Sequence, residues 1–141
     1  MSEDGSAPIS LLFVDPDTES RAYWVTGLKI ASPGYVITEA LDGQSALDLC
    51  QARTFDCVVL EAVLPDLSGF EVLMHLCPPT STAIVPVVML TKLVLARLSN
   101  LAKWNGAQAY LLKGYTSVDE LDLTIRRAIK WANPTSRESQ Q

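Results

Sequence analysis

The 141-residue sequence has little positive charge and few residues suited to metal or redox chemistry. It contains 11 Lys and Arg against 16 Asp and Glu, giving a net charge of −5. This is the wrong sign for a domain that binds nucleic acid through a basic surface. The three cysteines, Cys50, Cys57 and Cys77, form no CxxC pair, and the single histidine, His75, does not complete a set of metal ligands with them. We therefore expect no nucleic-acid binding, and free thiols in a reducing compartment.

Long apolar runs and glycine-rich phosphate loops are also missing. No apolar run approaches the roughly 20 residues that span a bilayer, and the polar, acidic first ten residues do not resemble a signal peptide. Neither GxGxxG nor GxxxxGK[ST] occurs, which argues against a dinucleotide or P-loop site. The 48% hydrophobic content suffices for one core at this length. We expect one cytoplasmic domain over 9–132, without membrane insertion, between polar tails at 1–8 and 133–141.

Short apolar runs alternate with amphipathic stretches along the chain. The predicted strands are Ile9–Val14, Tyr35–Ala40, Cys57–Leu60, Val85–Leu90 and Ala109–Leu112. The predicted helices are Asp17–Leu28, with Asp17 or Thr18 as its cap, Gln44–Ala52, Phe70–Cys77, Val94–Trp104 and Val118–Trp131. Continuous apolar strands are typical of a sheet covered on both faces. The alternation predicts an α/β, doubly wound, five-stranded parallel sheet with five helices in three layers.

Polar side chains follow the predicted strands at the edge where such sheets bind ligands. Asp15 follows the first strand, Glu61 the third, Thr91 the fourth and Lys113 the fifth. Carboxylates can hold a divalent cation through oxygen, while lysine and threonine can hold a phosphoryl group. These residue types predict a site for phosphoryl chemistry.

Five sequence segments together resemble a known family. They are LLFVDPDTESR, YVITEALDGQSALDL, FDCVVLEAVLPDLSGFEVL, PVVMLTK and GAQAYLLKGY, in order within roughly residues 10–131. The chain resembles the receiver domain of two-component response regulators. The resemblance implies a flavodoxin-like fold with strand order 2-1-3-4-5 and a role in phosphorelay signalling. It also implies a histidine kinase, hybrid kinase or effector domain as partner, and no enzymatic activity beyond self-phosphorylation from a phosphodonor.

The resemblance also implies roles for individual residues. In receivers an aspartate after the third strand accepts a phosphoryl group from a kinase phosphohistidine. It binds Mg²⁺ together with an acidic pair after the first strand and a backbone carbonyl. A threonine and a lysine contact the phosphoryl oxygens, and an aromatic residue on the fifth strand switches rotamer. The matching residues here are Asp15, Glu61 and Val63 for the metal, Glu61 for the acceptor, Thr91 and Lys113 for the phosphoryl contacts, and Tyr110 for the switch.

Three residues depart from the family pattern. Glu61 stands where the acceptor aspartate is expected, Pro16 replaces the second acid of the pair, and Gly114 replaces the proline after the lysine. The longer glutamate reaches into the phosphoryl volume, and the acid missing at Pro16 predicts a weak or absent Mg²⁺ site. A cis bond before glycine costs about 3–4 kcal/mol, so Lys113 is expected to be less firmly aimed. We hypothesise that Glu61 pairs with Lys113 and hydrogen-bonds Thr91.

Two functions stay open. The first is a module that is not, or only weakly, phosphorylated and acts through protein contacts. The second is a Mg²⁺-dependent receiver that accepts a phosphoryl group on Glu61 or a neighbouring group.

The fourth predicted helix is unusually apolar. Its stripe of Leu95, Leu98, Leu101 and Trp104 is interpreted as core. Leu93 and Val94 widen that apolar surface, which favours a partner or homodimer surface formed by the fourth helix, fifth strand and fifth helix.

Overall fold

A computed structural model describes residues 7–78 and 85–133. Its elements are β1 (Ile9–Val14), α1 (Thr18–Ala31), β2 (Tyr35–Ala40), α2 (Gly43–Ala52), β3 (Cys57–Leu60), α3 (Gly69–Leu76), β4 (Val87–Thr91), α4 (Ala96–Trp104), β5 (Ala109–Leu112) and α5 (Val118–Ala132). The five strands are parallel in the order β2-β1-β3-β4-β5. The predicted fold is confirmed. Most of both predicted tails lies outside the described residues.

Two apolar layers cover the sheet, because neighbouring side chains on a strand point to opposite faces. Leu11 and Phe13 of β1 pack with α1 and α5, where Trp24, Leu28 and Ile125 are buried. Leu12 and Val14 of β1 belong to the other layer, and their partners on α2, α3 and α4 include Ala46, Val72 and Ala102. Because every residue of β3 and β4 is buried, the central strands read as continuous apolar runs.

The predicted strand bounds hold for four of the five strands. β4 is the exception, since it begins at Val87 and ends at Thr91 instead of covering Val85–Leu90. Proline has no N–H for the ladder, so it is disfavoured inside a central strand. Pro86 therefore stands just before β4, although its carbonyl still accepts a hydrogen bond from Val58 N at 2.9 Å.

Four of the five α-helices in the described residues begin at a side chain that satisfies a free N–H group, and α4 has no such cap. Asp17, one of the two predicted caps, accepts from Ser20 N at 3.1 Å. Ser68 and Ser117 each form a capping box, at α3 and α5. None of the helices in the described ranges combines the length and apolar character needed to cross a membrane.

The interpretation of the α4 stripe as core is wrong for three of its four residues. Leu95 is 54% exposed, Leu101 42% and Trp104 89%, and Ala102 is the buried residue of this helix. Leu95 precedes the first helical residue. A three-residue spacing also turns about 60° around the axis at each step, because a helix has 3.6 residues per turn. The stripe therefore winds off the face that rests on the sheet.

Candidate functional site

Three strands deliver acidic and basic side chains to one edge of the sheet. Val14 and Leu60 are paired as the last residues of β1 and β3, so the next residues lie side by side. Asp15 N donates to Ala40 O, and Glu61 N donates to Val14 O, both at 3.0 Å. Lys113 directly follows β5. The ends of the strands thus fix where the two acids and the lysine stand.

Asp15, Glu61 and Lys113 form a buried ionic cluster, here called the acid pocket. Lys113 Nζ lies 2.8 Å from Asp15 Oδ2 and 2.9 Å from Glu61 Oε1. The side chains of the lysine, Asp15 and Glu61 are 8%, 2% and 8% exposed. Two carboxylates around one ammonium give the pocket a formal charge of −1. It is an anionic site whose one cation is provided by the chain.

The carboxylate oxygens of the acid pocket also accept hydrogen bonds from other parts of the chain. Asp17 N donates to Asp15 Oδ1 at 2.9 Å, and Ser20 Oγ donates to Asp15 Oδ2 at 3.0 Å. Glu61 folds back over its own loop, where Oε2 accepts from Ala62 N at 2.6 Å and from Val63 N at 3.2 Å. Each of the four oxygens therefore accepts at least one hydrogen bond or ion pair.

The expectation that Lys113 is loosely aimed is wrong. Every peptide bond of the described residues, including the one before Gly114, is trans, and two carboxylates hold the ammonium. Burial alone lowers the pKa of Lys113, but the hydrogen bonds and charges of Asp15 and Glu61 outweigh burial, so its pKa lies above the ordinary value. The ammonium form is held firmly whatever the following residue.

Thr91 and Tyr110 lie next to the pocket and are joined to one another through Leu93. The predicted hydrogen bond between Glu61 and Thr91 is wrong: Thr91 Oγ1 accepts instead from Leu93 N at 3.2 Å. The Glu61 carboxylate instead accepts from the backbone N–H groups of the next two residues, Ala62 and Val63, which are nearer along the chain. Tyr110 OH donates to Leu93 O at 2.9 Å. Burial raises the pKa of Tyr110, and the charge of Glu61 adds to the effect.

Residues that support the pocket were missed from the sequence. Ser20 and Arg21 lie in the first turns of α1, and Arg21 donates to Asp15 O and pairs with Glu39, both at 2.8 Å. Asp66 ties the loop after Glu61 to α2, accepting from Gly43 N at 2.8 Å and Gln44 N at 2.9 Å. The one signal for these residues was their place in a helix or loop that directly follows a strand end.

Gly69 lets α3 lie against the Glu61 loop. Gly69 N donates to Ala62 O at 2.8 Å. A Cβ at this position would stand 2.4 Å from Glu61 O and 2.7 Å from Ala62 Cα. Only glycine therefore fits between the helix and the loop without a backbone shift.

Comparison with known proteins identifies the family. The model of the response regulator receiver domain matches residues 11–126. The chain belongs to the response regulator receiver family. Such domains serve in two-component signalling, and the resemblance given by the sequence motifs is confirmed at this level.

Curated relatives of this receiver are longer proteins. A probable transcriptional regulator ycf27 of Guillardia theta is 31% identical over 131 residues, covering 92% of this chain and 48% of that protein. The gliding motility regulatory protein of Myxococcus xanthus is 30% identical over 84% of this chain, but only 15% of its own length is matched. The chain thus spans about half the length of the first relative and much less of the second.

Solved receiver structures match most of this chain. The Francisella response regulator 1452 receiver domain has a TM-score of 0.77 at 26% identity, covering 89% of this chain and 99% of that one. The chemotaxis response regulator CheY4 of Vibrio cholerae has a TM-score of 0.75 at 26% identity, covering 86% and 99%.

Receiver domains in general bind Mg²⁺ at the phosphorylation site, and the donors of the acid pocket do not fit that ion as they stand. Mg²⁺ requires near-octahedral oxygen ligands at about 2.0–2.1 Å. Here the Lys113 ammonium contacts one oxygen of each carboxylate, and backbone N–H groups occupy Glu61 Oε2. Pro16 adds no third carboxylate. Val63, the candidate carbonyl ligand, is 56% exposed and lies in the loop between β3 and α3.

Proposed function

We propose that this receiver is a signalling module that acts through protein contacts without accepting a phosphoryl group, and that Glu61 occupies the acceptor position. The observation that carries the proposal is the position of the Glu61 carboxylate. It lies among one ammonium and two backbone N–H groups, from Lys113, Ala62 and Val63. Such donors are the groups that hold phosphoryl oxygens in proteins. Glu61 thereby substitutes for an aspartate together with its phosphoryl group.

The physical case rests on space and alignment. In-line phosphoryl transfer depends on positioning, and a displacement of about 1 Å can cost on the order of a hundredfold in rate. Neither Glu61 oxygen is free to attack, because Oε1 pairs with Lys113 and Oε2 accepts two N–H groups. A phosphodonor would also have to displace Lys113 from a site where it is 8% exposed.

Tyr110 gives the proposed module a fixed output state. Its half-buried ring stands close enough for the Glu61 charge to raise the hydroxyl pKa, and its OH donates to Leu93 O. Because Glu61 is part of the sequence and is not added by a kinase, we infer that Tyr110 keeps this orientation without a phosphorylation cycle.

We propose that the surface formed by α4, β5 and α5 binds a second copy of this chain. Leu95, Leu101 and Trp104 expose apolar surface along α4. That helix has Arg97 and Lys103 and no acidic residue, while α5 begins with Asp119 and Glu120. A two-fold interface pairs a patch with itself, so basic α4 can face the acidic start of α5 of the second copy.

Sedimentation of wild type and Trp104→Glu tests the dimer. We expect the wild type to dimerise with rising concentration and the variant to stay monomeric. Ile30→Glu, at a 76% exposed position on α1, is the control and should dimerise like the wild type. A wild type that stays monomeric at high concentration contradicts the dimer, as does equal weakening of dimerisation by both substitutions. A kinase or an effector domain would then be the partner of this surface.

Incubation with acetyl phosphate and Mg²⁺, read by intact mass, tests the absence of phosphorylation. We expect no added phosphoryl group on the wild type. The double variant Pro16→Asp/Glu61→Asp restores the second acid and the shorter acceptor, and should gain one. A phosphoryl group on the wild type that disappears in Glu61→Gln would establish the Mg²⁺-dependent receiver instead.

A further inference from the structure

The acid pocket contains a cation that belongs to the chain. We propose that the Lys113 ammonium takes the place of a divalent ion in this pocket, so that the pocket assembles without metal and Lys113 itself keeps Mg²⁺ out. The inference rests on the proposed function, because it explains how a receiver fixed by Glu61 holds its buried acids together.

The first step is geometric. Lys113 Nζ bridges Asp15 Oδ2 and Glu61 Oε1, at 2.8 and 2.9 Å. A metal shared by these two residues needs the same oxygens. Nζ and a divalent ion cannot both sit between them, since like charges a few ångströms apart in a buried site repel strongly.

The second step concerns the remaining ligands. Mg²⁺ requires near-octahedral oxygen ligands, so the carboxylate oxygens must be free to turn their lone pairs towards it. Here Asp17 N and Ser20 Oγ satisfy Asp15, while Ala62 N and Val63 N satisfy Glu61. Ser20 is thus a positioning residue that gives Asp15 a donor from within the fold.

The third step concerns charge. With Pro16 in place of an acid, the pocket has two carboxylates, and Lys113 reduces its formal charge to −1. Removing the ammonium would restore −2 and uncover Glu61 Oε1, while Asp15 Oδ2 would keep only the hydrogen bond from Ser20 Oγ. The structure therefore assigns metal exclusion to Lys113 and not to a shortage of acids alone.

The experiment compares Mn²⁺ and Mg²⁺ binding in the full chain with and without the ammonium. Mn²⁺ binding is followed by loss of the free-ion EPR signal, and Mg²⁺ binding by the thermal unfolding midpoint at constant ionic strength. We expect no binding by wild type at millimolar Mn²⁺. We expect binding on the order of a hundredfold tighter in Lys113→Met, with a midpoint that Mg²⁺ raises by linkage.

Lys92→Met is the matched control, because Lys92 lines the same groove beside Asp17 and Lys113 but is exposed. It removes one positive charge near the pocket without uncovering a carboxylate oxygen, and should bind as weakly as wild type. If Lys92→Met gains affinity as much as Lys113→Met, the effect is long-range charge and the inference fails.

A second measurement does not depend on whether Lys113→Met folds. In wild type labelled with ¹⁵N-lysine, the buried Lys113 ammonium should give a slowly exchanging NMR signal that millimolar Mg²⁺ leaves in place. Loss or shift of that signal with Mg²⁺ overturns the inference.

The two proposals fail separately. If wild type binds Mn²⁺ but gains no phosphoryl group, the proposal that Lys113 excludes metal is wrong and the proposal of an unphosphorylated module holds. Wild type that gains a phosphoryl group in EDTA while excluding Mn²⁺ does the reverse.

Discussion

Two polar networks stand at opposite ends of the sheet and differ in how their charges balance. At the carboxyl ends, the acid pocket has two carboxylates and one ammonium. At the amino end of β2, Asp122 accepts from Ser32 Oγ at 3.1 Å and from Tyr35 OH, and pairs with Arg126 at 3.2 Å. We call Ser32, Tyr35, Asp122 and Arg126 the brace.

The brace has balanced charge, and the pocket does not. Arg126 also donates to Ser32 Oγ at 2.8 Å and lies over the Tyr35 ring, with Cζ 5.2 Å from its centroid. It remains 46% exposed, so it loses little hydration, whereas all three pocket side chains are almost fully buried. Buried ion pairs rarely repay their desolvation. The brace therefore suits a structural tie between α1, β2 and α5, and the pocket a site retained for another purpose.

Removal of the one pocket cation should have the largest effect on stability. Lys113→Met leaves two buried carboxylates facing each other, and breaking a buried pair costs about 3–5 kcal/mol. Urea unfolding at pH 7 in EDTA measures the loss. The exposed Lys92→Met should change the free energy of unfolding by less than about 0.5 kcal/mol. Equal losses of unfolding free energy in the two variants would show that the buried ammonium of Lys113 stabilises the fold no more than the exposed ammonium of Lys92.

Gly69→Ala tests how tightly the pocket loop is packed. The new Cβ meets backbone atoms of Glu61 and Ala62 at 2.4 and 2.7 Å, so the loop must shift, at a cost of about 3 kcal/mol. Gly34→Ala, in the loop of the brace between Ser32 and Tyr35, has no atom within 4 Å of its Cβ. That control should be neutral or stabilised by up to about 1 kcal/mol. Similar unfolding midpoints in urea for the two variants would contradict the difference in packing.

The sequence predicted the pocket and missed the brace, for a physical reason. Pocket residues follow strand ends, and parallel strands bring their carboxyl ends to one edge, so Asp15, Glu61 and Lys113 could be placed together. Ser32 and Asp122 are 90 positions apart and meet only through the packing of α1 against α5, which no local pattern encodes.

Within the pocket, the sequence could identify neighbours but not rotamers. The contact between Glu61 and Lys113 was anticipated. The bond from Glu61 to Thr91 was not found, because the nearer N–H groups of Ala62 and Val63 compete for the carboxylate. For α4, apolar composition indicated burial, but Ala102 is the buried residue of this helix, and the equally small Ala96 is exposed.

Removal of one donor should weaken the brace moderately. Tyr35→Phe keeps the buried ring and deletes the hydroxyl that donates to Asp122. Hydrogen bonds to charged groups are worth about 1.5–3 kcal/mol, so we expect a loss of about 2 kcal/mol in urea unfolding. Tyr115→Phe, at a position 79% exposed, should match the wild type. A loss below about 0.5 kcal/mol in Tyr35→Phe would mean that Asp122 replaces the donor with water at no cost.

The smallest effect is the change of stability with pH that Tyr35 of the brace should add. Burial, and then the hydrogen bond and charge of Asp122, raise the pKa of Tyr35, while an unfolded tyrosine ionises near pH 10. The folded state therefore holds the proton more tightly, and the stabilisation present below about pH 10 is lost progressively above it. Relative to Tyr35→Phe, wild type should lose about 0.8 kcal/mol from about pH 9 to about pH 10.5. The buried Cys57, whose pKa burial raises to about 12, contributes equally to both proteins, so the difference between them isolates Tyr35. If the difference in unfolding free energy between wild type and Tyr35→Phe stays constant across this pH range, the Tyr35 hydroxyl ionises as it does in water, and the brace does not hold its proton.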